Sequence, residues 1–420
     1  MTHPLPNPGL VPGPHGLKLE DVDLASIAER FGTPTYVYSL AELRAAYCAW
    51  RDALSGRRSS ISYAVKANSN LGILSLFARL GAGFDIVSGG ELARVLAAGG
   101  APSKVVFSGV GKTRAEMATA LEAGIRCFNI ESEAELLRLN EVAGELDKRA
   151  PIAFRVNPDV DPKTHPYIST GLKSNKFGVA IEQAEALYHR AAALDHVAVS
   201  GMACHIGSQL LDPAPIAEAA DKLLALADRL AAAGIVLDHI DFGGGLGIRY
   251  RDEQAPELTT YLQPLLERCA GRTEELCFEP GRSLVGNAGL LLTRIEYLKP
   301  GVEKSFAIVD AAMNDLARPA LYDAYHEVVA VTPRDIPATC YEIVGPICES
   351  GDFLAHDRQL ALATGDLVAI LSAGAYGMTM SSNYNTRPRA AEVIVDGKQM
   401  ILVREREPLE SLFALEHRLP

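Results

Sequence analysis

Between about residues 60 and 280 the chain alternates short, continuous apolar runs with longer stretches in which apolar residues recur at helical spacing. The short runs are Ile61–Val65, Phe84–Ser88, Val105–Ser108, Arg126–Ile130, Ala153–Val156, Ser200–His205, His239–Phe242 and Leu276–Glu279. Unbroken apolar character over so few residues suits parallel strands buried on both faces. Helical patterns lie between them, for example at Leu71–Leu80, Gly90–Ala98, Arg114–Ala123, Glu133–Leu146, Ile181–Ala193 and Pro215–Ala233. Eight strand–helix units predict an α/β fold, a (β/α)8 TIM-like barrel.

Beyond residue 285 the texture changes. Strand-like runs at Leu290–Leu298, Ser305–Val309, Glu327–Thr332, Tyr341–Ile347, Leu367–Leu371 and Ala391–Val395 have no matching helices. They predict a second, mostly antiparallel β domain, sandwich-like or barrel-like. The expected organisation is a barrel over 36–285, a β domain over 286–420, and an N-terminal segment, 1–35, packing with the β domain.

Composition narrows the function. With 420 residues, 48% of them apolar, the chain can bury a large core. A formal charge of −12 without a dense Lys or Arg run offers no footprint for nucleic acid or an anionic membrane. The seven cysteines are scattered, with neither a CxxC pair nor metal-ligand spacing, so neither a disulfide framework nor a bound metal is expected. The Pro- and Gly-rich start lacks a signal-peptide pattern, and no apolar stretch is long enough to span a bilayer. The expectation is a soluble cytoplasmic protein.

Unusual polar residues fall at the ends of predicted barrel strands, where this architecture places its chemistry. Lys66 follows the first strand in SYAVKAN; a lysine desolvated there is a nucleophilic amine able to form a Schiff base, although a strand-end lysine is more often a solvated loop residue. Gly243, Gly244, Gly245 and Gly247, after the seventh strand, let backbone N–H groups approach an anion such as a phosphate, at the start of a helix or turn. A plain tight turn is the alternative, and Ile248 breaks the GxGxxG dinucleotide pattern. Glu279 ends the eighth strand beside Gly281 and Arg282; it suits the nitrogen of a pyridine ring, or else a structural Glu–Arg pair. His205 ends the sixth strand in CHIGSQ and could stack on such a ring or be a satisfied core histidine. SGVGKT, at 108–113, misses the P-loop pattern because Val106 stands where its first glycine belongs; a strand-to-helix turn capped by Thr113 is expected. Residues 157–177 form a long polar connection that could close over a site.

YAVKAN, HIGSQ, DFGGGLG and EPGR, in this order, resemble the barrel half of the fold-type III pyridoxal-phosphate decarboxylases. RPALYDAYH at 318–326, GPICESGDFLA at 345–355 and GAYGMTMSSNYN at 374–385 extend the resemblance through the second domain. The resemblance implies that pyridoxal 5'-phosphate is bonded to Lys66, with His205 stacked on its ring and Glu279 at its nitrogen. Gly244, Gly245 and Tyr376 would bind the phosphate, and Ser208, Gly281 and Arg282 complete the cofactor set. Arg282, Arg318 and Tyr322 would bind the distal carboxylate of an amino-acid substrate and Glu349 its distal ammonium, with Tyr376 also at the substrate. Cys348 would protonate the carbanion left by decarboxylation; on composition alone a free cysteine is more often a small buried hydrophobe. Family resemblance also implies a homodimer in which Cys348 and Glu349 come from the neighbouring subunit.

The implied reaction is decarboxylation of meso-2,6-diaminopimelate to L-lysine. Bidentate arginines suit a far carboxylate, which ornithine and arginine lack. Decarboxylases of ornithine, arginine or carboxynorspermidine remain the alternatives, with alanine racemase further off because Glu279 would keep the ring charged. A non-catalytic carrier of the cofactor would have no use for Cys348, Glu349 and Tyr376.

Overall fold

The computed structural model describes residues 5–161 and 175–420, and the chain forms two compact units. The central part of the connection at 157–177 lies outside the described residues.

One unit comprises Tyr47–Ile248 and Gln254–Ser283. Its strands are β1 (Ser59–Ala64), β2 (Gly83–Ile86), β3 (Val105–Phe107), β4 (Cys127–Ile130), β5 (Ala150–Asn157), β6 (Val197–Ala203), β7 (His239–Asp241) and β8 (Glu275–Phe278). Each pairs in parallel with the next, and β8 returns to β1 through Leu276 opposite Ser59, closing the barrel. All eight expected strands are present. Phe84, Phe107, Phe128 and Phe154, on four successive strands, are fully buried, as the continuous apolar runs require.

The loops leaving β1 to β4 end in side chains that satisfy a helix N-terminus. Asn70 accepts from Gly72 N, Ser88 from Glu91 N, Thr113 from Glu116 N and Ser132 from Glu135 N. Each cap starts its helix at a defined residue after the strand, which holds the intervening loop to one path. Thr113 and Glu116 form a full capping box, as the strand-to-helix reading of SGVGKT anticipates. Lys112 has no capacity left for a phosphate: its ammonium donates to Gly109 O (2.8 Å), Asn129 O (2.7 Å) and Glu135 Oε1 (2.7 Å), using all three donors.

The other unit comprises the residues up to Ala46, Arg249–Glu253 and Leu284–Pro420. Its long central strand, Gly289–Lys299, pairs antiparallel with Thr35–Ser39, Ser305–Val309 and Leu367–Ile370. Two pairings are parallel, Ser305–Val309 with Thr339–Val344 and Thr35–Ser39 with Ala391–Asp396. Leu10, Leu19, Val22, Leu24 and Ile27 share a buried cluster with Leu290, Leu292, Leu371 and Val393. Buried Asn7 donates to Gly289 O (3.0 Å) and accepts from Ser372 N (2.8 Å).

Two differences from the sequence expectation have physical causes. Phe353–Leu360 and Gln399–Arg404 are strands that the apolar pattern does not mark, because most of their side chains are exposed or half-exposed. The division also falls inside the helix Leu40–Ala53, later than the expected 35/36 boundary, because Thr35–Ser39 is a fully buried strand of the β unit.

Candidate active site

Barrel closure brings the marked strand ends onto one rim. Lys66 sits in the 3-10 turn Val65–Ala67 that follows β1, and its Nζ lies 2.6 Å from Oδ2 of Asp85 on β2. The lysine side chain is 37% exposed while Asp85 is fully buried, so the amine stands at the boundary between core and solvent. The turn is braced by Tyr63 Oη donating to Asn68 O (2.8 Å) and Asn70 N donating to Asn68 Oδ1 (3.1 Å). Gly281 lies against this turn; a Cβ there would stand 3.1 Å from the methyl groups of Ala64 and Ala67, on either side of the lysine.

His205, two residues past β6, keeps an exposed edge but is surrounded deeply enough for desolvation to push its pKa well below the usual range, with Arg155 and Lys66 adding to the effect. Gly244 N donates to its Nδ1 at 3.3 Å, consistent with a neutral ring protonated on Nε2. A flat, uncharged imidazole is thereby fixed at the rim.

The glycine loop after β7 does not run into a helix; the next one begins at Leu258. Only the turn form of the anion-binding expectation therefore applies. Gly243 and Gly245 have φ of +68° and +107°, and a Cβ on Gly244 would stand 2.2 Å from Glu279 O. The loop can lie this close to the end of β8 only without side chains, and Glu279 N donates to Gly243 O at 2.7 Å across the gap.

Glu279 is buried, and its Oε1 has no hydrogen-bond partner among the described residues. Burial raises its pKa well above the ordinary value, Asp241 and Asp85 raise it further, and Lys66 and Arg155 oppose the shift. Asp241 is itself pushed up to about 6, chiefly by burial, against a bond from Gly243 N (2.8 Å). Two such carboxyl groups together favour retention of a proton. Next along the chain, buried Arg282 donates from Nε (3.3 Å) and Nη2 (3.0 Å) to Ser208 Oγ, joining two expected cofactor residues.

Pyridoxal phosphate fits these residues. It requires an amine for its aldehyde, a flat contact for its ring, a buried acid for its nitrogen and a side-chain-free loop for its phosphate. Lys66, His205, Glu279 and the Gly243–Gly245 turn meet those requirements.

Three barrel residues were missed in the sequence reading. Asp85, Arg155 and Asp241 each interrupt an apolar strand with a charge, a signal that was available. Arg155 donates to Glu131 Oε1 (3.2 Å), whose carboxylate also accepts from Gly109 N and Gly178 N.

The remaining expected residues belong to the β unit. Arg318 is buried, stacks 4.6 Å from the Tyr250 ring centroid and contacts His326 Nε2 at 2.9 Å; His326 Nδ1 lies 2.7 Å from Leu371 O. With Nδ1 donating to that carbonyl, Nε2 is the acceptor for the guanidinium. Tyr322 closes the same short helix, Arg318–Tyr322, and is half-buried. Tyr376 has a left-handed φ of +56° between Gly374, where a Cβ would stand 1.9 Å from Val285 O, and Gly377.

Cys348 and Glu349 lie exposed in the connection between Thr339–Val344 and Phe353–Leu360. Buried Asp352 organises that connection, accepting from Met313 N (2.7 Å) and Ile347 N (2.8 Å). Cys348 Sγ donates to Asn385 Oδ1 at 3.6 Å, and Tyr384 Oη donates to Glu349 Oε1. Among the described residues no cluster suits a metal ion, and no helix is long and apolar enough to cross a membrane.

Comparison with known proteins gives a consistent result. The family model of the pyridoxal binding domain of pyridoxal-dependent decarboxylases matches residues 40–286. The chain is 64% identical over 401 residues to diaminopimelate decarboxylase of Pseudomonas aeruginosa, covering 96% of this chain and 97% of that one. It is 58% identical to the Vibrio cholerae enzyme of the same name, covering 96% of each. Among solved structures, it is similar to diaminopimelate decarboxylase from Helicobacter pylori complexed with L-lysine, with a TM-score of 0.91 and 43% identity over 93% of this chain and 98% of that one. The M. jannaschii structure of the same name gives a TM-score of 0.94 and 38% identity, covering 99% of each chain.

Proposed function

This chain belongs to the pyridoxal-dependent decarboxylase family, and from that premise we propose that it converts meso-2,6-diaminopimelate to L-lysine and CO2, the last step of lysine biosynthesis. Bound pyridoxal phosphate supplies the electron sink for the charge that decarboxylation leaves on the α carbon. The protein's own groups do the rest. Lys66 Nζ would bond the cofactor aldehyde, held at its position by Asp85. His205 would lie flat on the ring, and Gly244, Gly245, Ser208, Gly281, Arg282 and Tyr376 would complete the cradle.

The observation that carries this assignment is the Glu279 carboxyl, buried, with one oxygen unpartnered among the described residues and its proton held more tightly than usual. A buried acid whose pKa is raised by burial would suit a ring nitrogen placed at that point, and Glu279 would keep that nitrogen charged. A paired charge at the ring nitrogen deepens the sink.

Arg318 and Tyr322, with Arg282, would take the distal carboxylate of diaminopimelate, and Glu349 would take its distal ammonium. Bidentate guanidinium recognition of that carboxylate favours diaminopimelate over ornithine or arginine. Cys348 would hold the proton destined for the α carbon. Because Cys348 and Glu349 are exposed, they suit a homodimer in which each subunit lends both residues to its neighbour.

CO2 release by purified protein supplied with pyridoxal phosphate tests the assignment, with meso-diaminopimelate compared against ornithine and arginine. Faster release from either competitor overturns the substrate assignment. Sedimentation of the holoenzyme as a monomer, still active, overturns the shared-residue part.

A further inference from the structure

We propose that Tyr384 and Asn385 are positioning residues that prepare Glu349 and Cys348 separately, one for substrate binding and the other for proton delivery. The inference rests on the roles given to Glu349 and Cys348 above. It starts from a coincidence of order: Cys348 and Glu349 are adjacent, Tyr384 and Asn385 are adjacent, and the two pairs bond one to one. Cys348 Sγ donates to Asn385 Oδ1 at 3.6 Å, while Tyr384 Oη donates to Glu349 Oε1.

The backbone beneath this pairing is unusual. Asn385 has φ 55° and ψ 25°, and Thr386 follows at φ 56°, so two consecutive residues with side chains occupy the left-handed region. Asparagine tolerates that region, but a β-branched threonine is a genuine outlier there. Such a conformation persists only where its surroundings enforce it. The enforcement is present: Asn383 Nδ2 donates to Arg387 O (3.0 Å) and Glu407 Oε2 (2.8 Å), and Arg389 Nη1 donates to Asn383 Oδ1 (2.6 Å) and Glu407 Oε1 (3.1 Å). Asp352 fixes the opposite loop from its own side. Two braced segments thus hold four exposed side chains in register.

Each bond has its own chemical consequence. A carboxamide oxygen accepts the hydrogen bond of the thiol without offering a charge, which limits the rotation of the Cys348 side chain. The phenol occupies one oxygen of Glu349 and leaves the other for an ammonium, so that carboxylate is oriented before substrate arrives. Glu349 in turn raises the Tyr384 pKa, which keeps the phenol a donor.

Steady-state kinetics on the full-length holoenzyme separates the two roles. Tyr384→Phe keeps the ring and removes the donor; Asn385→Gly keeps the left-handed backbone accessible and removes the carboxamide. Loss of one charge-assisted bond predicts roughly a tenfold rise in KM for meso-diaminopimelate in Tyr384→Phe, with kcat within about twofold. Asn385→Gly should lower kcat by roughly tenfold with little change in KM and enlarge the solvent deuterium isotope effect on kcat, because proton delivery becomes slower. Cofactor absorbance confirms that both variants are loaded.

A loop that matters only for folding would move kcat and KM together in both variants, and that result overturns the inference. So does parent-like behaviour of both variants when Cys348→Ala and Glu349→Gln are impaired. If Cys348→Ala and Glu349→Gln are themselves as active as the parent, the roles given to those residues fail, and the inference falls with them.

Discussion

Lys66 Nζ and Asp85 Oδ2 stand 2.6 Å apart, which ties the end of β1 to the interior of β2. Lys66 leads into solvent and Asp85 into the core, so the carboxylate fixes the direction in which the amine is presented. Lys66→Ala should remove both the visible absorption of bound cofactor and turnover. Asp85→Asn should retain the absorption band and lower kcat/KM by about 10²-fold, the scale of a misplaced reactive group. Absorption spectra and initial rates check both outcomes; parent-like rates in Asp85→Asn would remove the aiming role.

Arg318 acts with His326, whose ring is held by Leu371 O so that Nε2 faces the guanidinium. Arg318→Ala should raise KM for diaminopimelate by roughly 10²-fold, equivalent to about 3 kcal/mol for hydrogen bonds to a charged group, while cofactor occupancy is unchanged. His326→Phe should produce a smaller rise in the same direction. Equal KM values for parent and Arg318→Ala would refute the distal-carboxylate role.

The acid pair at the end of the barrel makes stability depend on pH. In the cofactor-free protein Asp241 is pushed up to about 6 by burial, above the ordinary value of about 3.9 for an unfolded aspartate. A carboxyl that binds its proton more tightly when folded stabilises the folded state fully below the unfolded value. That contribution is lost as pH rises through about 6. Asp241→Asn cannot ionise, so its Tm relative to the parent should move in the variant's favour between about pH 4 and 6. A pH-independent Tm difference in calorimetry of the apoproteins would contradict this.

The capping box at Thr113 makes a negative prediction about SGVGKT. Thr113→Ala should cost about 1 kcal/mol in denaturant unfolding, the usual value of an N-cap, and leave kcat unchanged. A fall in kcat at full cofactor occupancy would mean that the turn serves the reaction.

Gly244 tests the packing of the glycine loop against the end of β8. Its Cβ would collide with Glu279 O, and the nearest atoms that it meets are backbone. Gly244→Ala should therefore weaken cofactor binding by about tenfold or more, since the loop and Glu279 must separate. Unchanged affinity in a cofactor titration would show that the loop can move without cost.

Much of the barrel was determined locally, because burial on both faces writes a continuous apolar run into each strand whatever its partners are. Lys66, His205, Glu279 and the glycine loop were legible for the same reason: each is a polar or flexible interruption where such a run ends. Partly exposed strands such as Phe353–Leu360 carried no comparable pattern. Tertiary structure alone decided who meets whom. Asp85 faces Lys66, Ser208 meets Arg282 across 74 residues, and Tyr384 reaches Glu349 across 35, while Lys112 turns inward to three acceptors instead of a phosphate. These pairings follow from strand register, ring closure and enforced turns, which are set by contacts between segments far apart in the chain and leave no periodic trace in either segment.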